Sequence, residues 1–170
     1  MRSLGLDVGG ERTGVAMSDP QGILATPLTV LASRDEDALI KEILALVAQH
    51  EAERIVVGLP RQLSGDLGKQ ANKVTAFADK LAAQAKQEHF YQLDIQLWDE
   101  RLSTKAAERL KAKGDGQGGS LRFRGRRGAR NRNLVIKAEV DAIAAALILQ
   151  GFLDSRRSDD GEESQEWSHI

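Results

Sequence analysis

Three acidic residues occupy places where a carboxylate needs a reason: Asp7 in "LGLDVGGERTGVAMSD", Glu100 directly after "LDIQLWD", and Asp141 in "EVDAIAAALIL". Leu4, Leu6 and Val8 alternate with Gly5, Asp7 and Gly9, so a strand of period two sets the aliphatics on one face and Asp7 on the other, between two small neighbours that leave it accessible. Asp141 lies beside a helical stripe of Ile136, Val140, Ile143 and Leu147, on a face shared with Ala144, Ala145 and Ile148. Those alanines permit close approach to a sheet, and a carboxylate carried into that approach needs a partner because burying it unpaired is expensive. Taken singly, Asp7 reads as a turn or solvated residue and Glu100 as a loop charge; Asp141 is the hardest of the three to dismiss. Brought together, carboxylates raise one another's pKa unless a cation sits between them. Oxygen-only ligands suit Mg²⁺ or Mn²⁺ rather than zinc, and His50, His89 and His169 fall outside the set. Such a cluster can hold two ions about 4 Å apart, one generating hydroxide and the other stabilising the leaving oxygen of a phosphodiester. That is the chemistry of a nuclease.

The elements that must position these acids follow from periodicity and punctuation. Leu4–Val8 and Val15–Met17 predict two strands joined by a glycine-flanked turn over Glu11-Arg12-Thr13, the glycines supplying positive φ. "ILATPLTVLA" predicts a third strand, with Pro27 marking an edge or a bend. Ser33-x-x-Glu36 reads as a capping box for a helix from Asp35 to His50, and "RIVVGLP" as a parallel strand covered on both faces. "RQLSGD" leads into a second helix with Val74, Phe77, Ala78, Leu81 and Ala85 on one face; Ser64, Gly65 and Asp66 either begin that helix or line a substrate path with their amides. "LDIQLWDE" alternates Leu93, Ile95 and Leu97 against Asp94, Gln96 and Trp98 and predicts a fifth strand ending in Asp99 and Glu100, with Trp98 read as core packing because one aromatic makes no base-stacking platform. Ser103 caps a short helix reaching Lys111, and a last helix covers Leu134 to Leu153. The order βββαβαβα predicts an α/β fold, a ribonuclease H-like mixed sheet with helices on both faces. Residues 1–154 are expected to form one domain, including a basic Gly/Arg-rich loop at 114–133, with 155–170 an acidic, disordered tail.

A chain of 170 residues accommodates one domain with a substantial core. The absence of cysteine excludes disulfides and thiol chemistry and is compatible with a cytoplasmic setting, and neither a membrane span nor a signal organisation is legible, so a soluble protein without membrane association is expected. The net charge of −1 conceals a polarity along the chain. From Lys111 to Arg132 eight basic residues stand against Asp115 alone, a net +7, whereas the chain from Asp154 onward carries −4. A polyanionic partner, nucleic acid, is therefore expected at Arg122, Arg124, Arg126, Arg127 and Arg130, with the acidic tail able to compete for them. Arg12 and Arg101 are further candidates for phosphate contact, each equally able to pair with a structural carboxylate.

"LGLDVGGERTGVAMSDP", "IVVGLPRQLSGD", "LWDERLSTKAAE" and "VDAIAAALILQGFL" resemble, in that order, the signature segments of the YqgF/RuvX family of bacterial ribonuclease H-like proteins, over about Leu4 to Leu153. The resemblance implies a Mg²⁺- or Mn²⁺-dependent nuclease, a monomer or weak homodimer. Its favoured substrate is the 5′ end of the pre-16S ribosomal RNA, with a four-way DNA junction as the alternative. Carried across, the metal-binding and catalytic set is Asp7, Glu100 and Asp141, with Asp99 as the fallback for the second position. The chain departs from the family at Glu139, where a lysine usually precedes the "VD" pair, and in its longer, glycine-rich connection after "DERLS".

Two readings from other classes compete. "LDVGGERTGVA" also resembles the first phosphate loop of sugar kinases and actin-like ATPases, but those enzymes close two such domains over a nucleotide, which this length does not supply. A binding module that keeps the fold and the basic loop without catalysis differs from a nuclease in one respect, whether the three carboxylates converge.

Overall fold

The computed structural model describes residues 1–60, 68–99 and 129–162, with side chains of the last segment from 139 to 157. Among the described residues the elements follow in the order β1 (Ser3–Val8), β2 (Thr13–Ser18), β3 (Ala25–Leu31), α1 (Glu36–His50), β4 (Arg54–Leu59), α2 (Lys69–Gln87), β5 (Asp94–Asp99) and α3 (Ala129–Glu162). The strands form one mixed sheet in the order β3-β2-β1-β4-β5. β1, β2 and β3 make an antiparallel meander, and β1, β4 and β5 run parallel. β3 is an edge strand whose pairing with β2 slips between Val15 and Ala16, opposite Thr29 and Pro27, so the proline sits at both an edge and an irregularity.

Alternation divides the sheet into two faces. Leu4, Leu6, Val15, Ile55 and Val57 point toward α1 and α2, where Leu39, Ile40, Ile43, Val74, Phe77 and Leu81 cover them. Each such side chain contributes about 1.5–3 kcal/mol by leaving water, so this layer carries most of the fold's stability. Ala16 and Val56 point the other way, toward Ala145, Ile148, Leu149 and Phe152 of α3.

Helix α3 differs from its expected form at both ends and in the face it buries. It begins at Ala129, so the last residues of the expected basic loop, Arg130 among them, are helical. It continues past Leu153 to Glu162, and as far as Arg156 it is supported by Gln150 donating to Asp154 at 2.9 Å and by Arg156 stacking 5.9 Å from the Phe152 ring, one helical turn apart in each case. Residues Ser155 to Glu162, expected as tail, therefore extend the helix.

The buried face consists of Ala142, Ala145, Ala146, Ile148, Leu149, Phe152 and Leu153, whereas Val140 and Ile143 of the larger stripe are 55% and 49% exposed. The reason lies in the sheet. A β-carbon at Gly5 would come within 2.7 Å of Leu149 Cβ and 2.9 Å of the Ala145 carbonyl oxygen, and one at Gly14 would overlap the Asp141 carbonyl group. The helix backbone rests on two glycines, and alanines are the side chains that fit between backbones so close.

Further contacts clamp α3 along its length. Gln150 accepts from the Ala25 N–H at 2.9 Å and donates to the Ile23 carbonyl at 3.0 Å, joining the helix to the beginning of β3. Phe152 meets the Trp98 ring edge-on at 5.6 Å and the Arg54 guanidinium at 5.3 Å, and Arg54 in turn pairs with Asp94 at 2.7 Å. Trp98 packs against the α3 layer, as expected of it, although it leaves β5 on the face opposite Ile95.

Two local expectations are corrected. The cap of α1 is Asp35, whose side chain accepts from the Asp37 N–H at 3.1 Å, while Ser33 donates to the Asp35 carbonyl rather than closing a capping box. Gly9, Gly10 and Gly14 do not adopt positive φ; among the described glycines Gly22 alone does, at 69°. Gly9 is required because a β-carbon there would stand 2.6 Å from the Arg12 carbonyl oxygen.

Candidate active site

Because β1, β4 and β5 are parallel, their C-terminal ends share one edge of the sheet, and Asp7 lies at that edge, paired across the hairpin with Gly14. The hairpin closes through the Gly9 N–H donating to the Arg12 carbonyl at 2.9 Å. Asp7 shares the side of β1 from which Gly5 contacts α3. The main chain of Asp141 lies directly over Gly14, Asp7's neighbour. The glycine that admits the helix backbone thus also sets the second carboxylate beside the first.

The electrostatics are those of two acids held close. Burial, and then the charge of Asp141, push the Asp7 carboxyl above its usual pKa. Arg12 Nε lies 2.8 Å from Asp141 Oδ2, in a pair whose side chains are 30% and 28% exposed. The approach is out of line for a hydrogen bond. Asp141 Oδ2 is shielded from solvent and has no hydrogen-bond partner among the described residues. A shielded carboxylate oxygen that has a guanidinium against it but no hydrogen bond, beside a second carboxylate whose charge is disfavoured, is a donor pair whose hydrogen-bonding capacity is not filled. A hard divalent ion fits it, since the donors are oxygens. Two carboxylates are fewer than a full ligand set, and no group of three or more acids, histidines or cysteines suited to a metal occurs among the described residues.

The second expected position is informed by strand parity. Ile95 packs into the layer under α1 and α2, and Trp98 into the layer under α3. Asp99 has the parity of Ile95, so it leaves β5 on the face opposite Asp7 and Asp141. This disfavours Asp99 as the partner of those acids. Glu100 lies outside the described residues, as do Arg101, Arg122, Arg124, Arg126 and Arg127, together with Ser64, Gly65, Asp66 and Ser103. Arg130 is placed only as a backbone position in the first turn of α3. Of the expected set, the structure brings together Asp7, Asp141 and Arg12.

Sequence reasoning did not single out the other side of the same turn. A cleft of about 400 Å³ opens there between α1 and α2, lined by Gly9, Gly10, Ser33, Arg34, Gln70 and Lys73. Its residues come from three segments with no shared motif, so no spacing could have revealed it. No helix among the described residues is long and apolar enough to cross a membrane.

Comparison with known proteins gives the following. The RuvX family, described as Holliday junction resolvase, matches residues 1–155. A relative from Desulforudis audaxviator named "Putative pre-16S rRNA nuclease" is 38% identical over 158 residues, covering 93% of this chain and 97% of the relative. One of the same name from Pelotomaculum thermopropionicum is 40% identical over 157 residues, covering 92% and 88%. Among solved structures, the yeast mitochondrial Holliday junction resolvase Ydc2 superposes with a TM-score of 0.61 at 15% identity, over 95% of this chain and 81% of that one. Thermus thermophilus RuvC, solved with a Holliday junction substrate, gives 0.54 at 14% identity over 93% and 96%. At these identities the two structures speak to the fold, a ribonuclease H-like α/β sheet.

Proposed function

Because the chain belongs to the RuvX family, we propose that it is a nuclease that hydrolyses phosphodiester bonds in structured nucleic acid, acting on the 5′ end of pre-16S ribosomal RNA in the cytoplasm, as a monomer or weak homodimer. The observation that carries this reading is the Asp7–Asp141 pair at the C-terminal edge of the parallel strands, with Asp7 raised in pKa and one Asp141 oxygen lacking a hydrogen bond. Asp7, Asp141 and Glu100 would hold Mg²⁺ or Mn²⁺. When bound, the ion supplies the positive charge that makes a water nucleophilic and stabilises the leaving oxygen.

The chain's own residues do the rest. Gly14 and Gly5 let α3 descend until Asp141 reaches Asp7, and the Gln150 and Phe152 contacts fix that height. Arg12, Arg101 and the arginines of the basic segment, Arg122, Arg124, Arg126, Arg127 and Arg130, bind phosphates.

The test is cleavage of three substrates, a single-stranded RNA, a pre-16S fragment carrying its 5′ extension and a four-way DNA junction, each with Mg²⁺, Mn²⁺ or EDTA. Metal-dependent trimming of the pre-16S fragment, lost in Asp7→Asn, is expected. Cleavage of the junction alone would transfer the assignment to DNA resolution. Binding without cleavage under every condition would reduce the protein to a binding module.

A further inference from the structure

The cation at Asp141 in this structure is a side chain of the protein. Arg12 reaches it from the β1–β2 turn, and its neighbour Glu11 is engaged by Arg34 at 3.1 Å, so Glu11 does not hold Arg12 back. The 2.8 Å contact is close enough for strong attraction yet lacks the alignment that makes an arginine–carboxylate pair durable. The pair stands at the rim, each side chain near three-tenths exposed, with a flexible stem that can turn outward. Removing the charge from Asp141's side would leave it facing Asp7 uncompensated, which explains why a cation stays there. A divalent ion arriving at Asp141 would repel the Arg12 guanidinium and compete with it for the same carboxylate charge.

We propose that Arg12 is a resident counter-ion that holds Asp141 in place in the metal-free enzyme and is displaced by the divalent ion, which frees its guanidinium to take a phosphate of the nucleic acid. Metal and substrate binding are then coupled through one side chain: the ion releases the arginine that the substrate needs. The inference rests on the reading of Asp7 and Asp141 as the metal site, and its test separates the two.

Mn²⁺ binding to the full chain, without nucleic acid, is measured by the free-Mn²⁺ EPR signal for wild type, Arg12→Gln and Asp141→Asn. Removal of the competing cation should tighten Mn²⁺ binding by about 5- to 10-fold in Arg12→Gln, the scale of one partly buried charge pair. RNA affinity by fluorescence anisotropy should fall by about 5-fold in Arg12→Gln with Ca²⁺ present and stay unchanged in EDTA, where Arg12 is engaged with Asp141. In the wild-type protein, the Arg12 Nε–Hε resonance should shift on Mg²⁺ titration with the same midpoint as metal binding, a readout that needs no variant. Unchanged or weaker Mn²⁺ binding in Arg12→Gln, with binding lost in Asp141→Asn, would overturn the counter-ion role and leave the metal site standing. An Arg12 resonance indifferent to saturating Mg²⁺ would do the same. Equal Mn²⁺ binding by wild type and Asp141→Asn would remove the metal site, and the proposal with it.

Discussion

Gly14→Ala isolates the feature on which the site depends, the height of α3 above the sheet. The added methyl would overlap the carbonyl carbon and oxygen of Asp141 and stand 3.1 Å from the Ala142 nitrogen. These are main-chain atoms in the middle of a helix, so no rotamer change relieves the overlap. To restore ordinary carbon contacts of about 3.5 Å, the helix must rise by roughly 1 Å or more near Asp141. Overpacking of a core costs about 1–3 kcal/mol, and with backbone as the obstacle the upper end is expected, about 3 kcal/mol. For a chain of this size that lowers the melting midpoint by about 6–12 °C. A displacement of about 1 Å at the carboxylates should lower cleavage a further 100-fold in the fraction that is folded. Gly10→Ala is the matched control, since nothing lies within 4 Å of its added carbon, and it should stay within about 0.5 kcal/mol of wild type. Urea unfolding and single-turnover cleavage of the pre-16S fragment measure both effects. Wild-type stability and rate in Gly14→Ala would mean that α3 does not rest on β2 at this point, and the geometric argument for the carboxylate pair would fall with it.

Asp7 titrates in the native state above its usual value of 3.8, because burial and Asp141 disfavour its charge. The native state therefore holds the proton more tightly than the unfolded chain, and Asp7 makes stability fall as pH rises from 3.8 through the raised value, with the penalty constant above it. In EDTA, Asp7→Asn should melt higher than wild type at pH 7 and converge with it at pH 3.5; a gain equal at both pH values would refute the assigned cause. Leu149→Ala, fully buried against Gly5, should cost about 3 kcal/mol in urea unfolding. Ile143→Ser on the exposed stripe should cost less than about 0.5 kcal/mol, and the reverse ranking would restore the larger stripe as the core face. Replacing Arg122, Arg124, Arg126 and Arg127 together with Gln should flatten the slope of log affinity against log salt by about 3 for single-stranded RNA, and a change below about 0.5 would mean that these residues make no such ionic contact.

The amino-acid sequence determined the elements whose information is local. A two-residue alternation placed Leu4 and Leu6 opposite Gly5 and Asp7, and a helical repeat selected Val74, Phe77, Ala78, Leu81 and Ala85, all buried in α2. The types of Asp7 and Asp141 announced oxygen chemistry, because an acid on an apolar element is costly wherever it ends up. The tertiary structure decided what depends on distance between segments far apart in the chain. Near Asp141 the Val140–Ile143 stripe is the bulkier one, yet Ala142, Ala145 and Ala146 lie down there because Gly5 and Gly14 on other elements bring the sheet backbone close under that part of the helix, while Ile148, Leu149, Phe152 and Leu153 are buried on the same side farther along. Arg12 could have faced a phosphate or a carboxylate; the path of α3 over the β1–β2 hairpin put Asp141 within 2.8 Å of it. Periodicity reports the face a residue occupies on its own element, whereas the partner it meets there is set by how closely two backbones can approach.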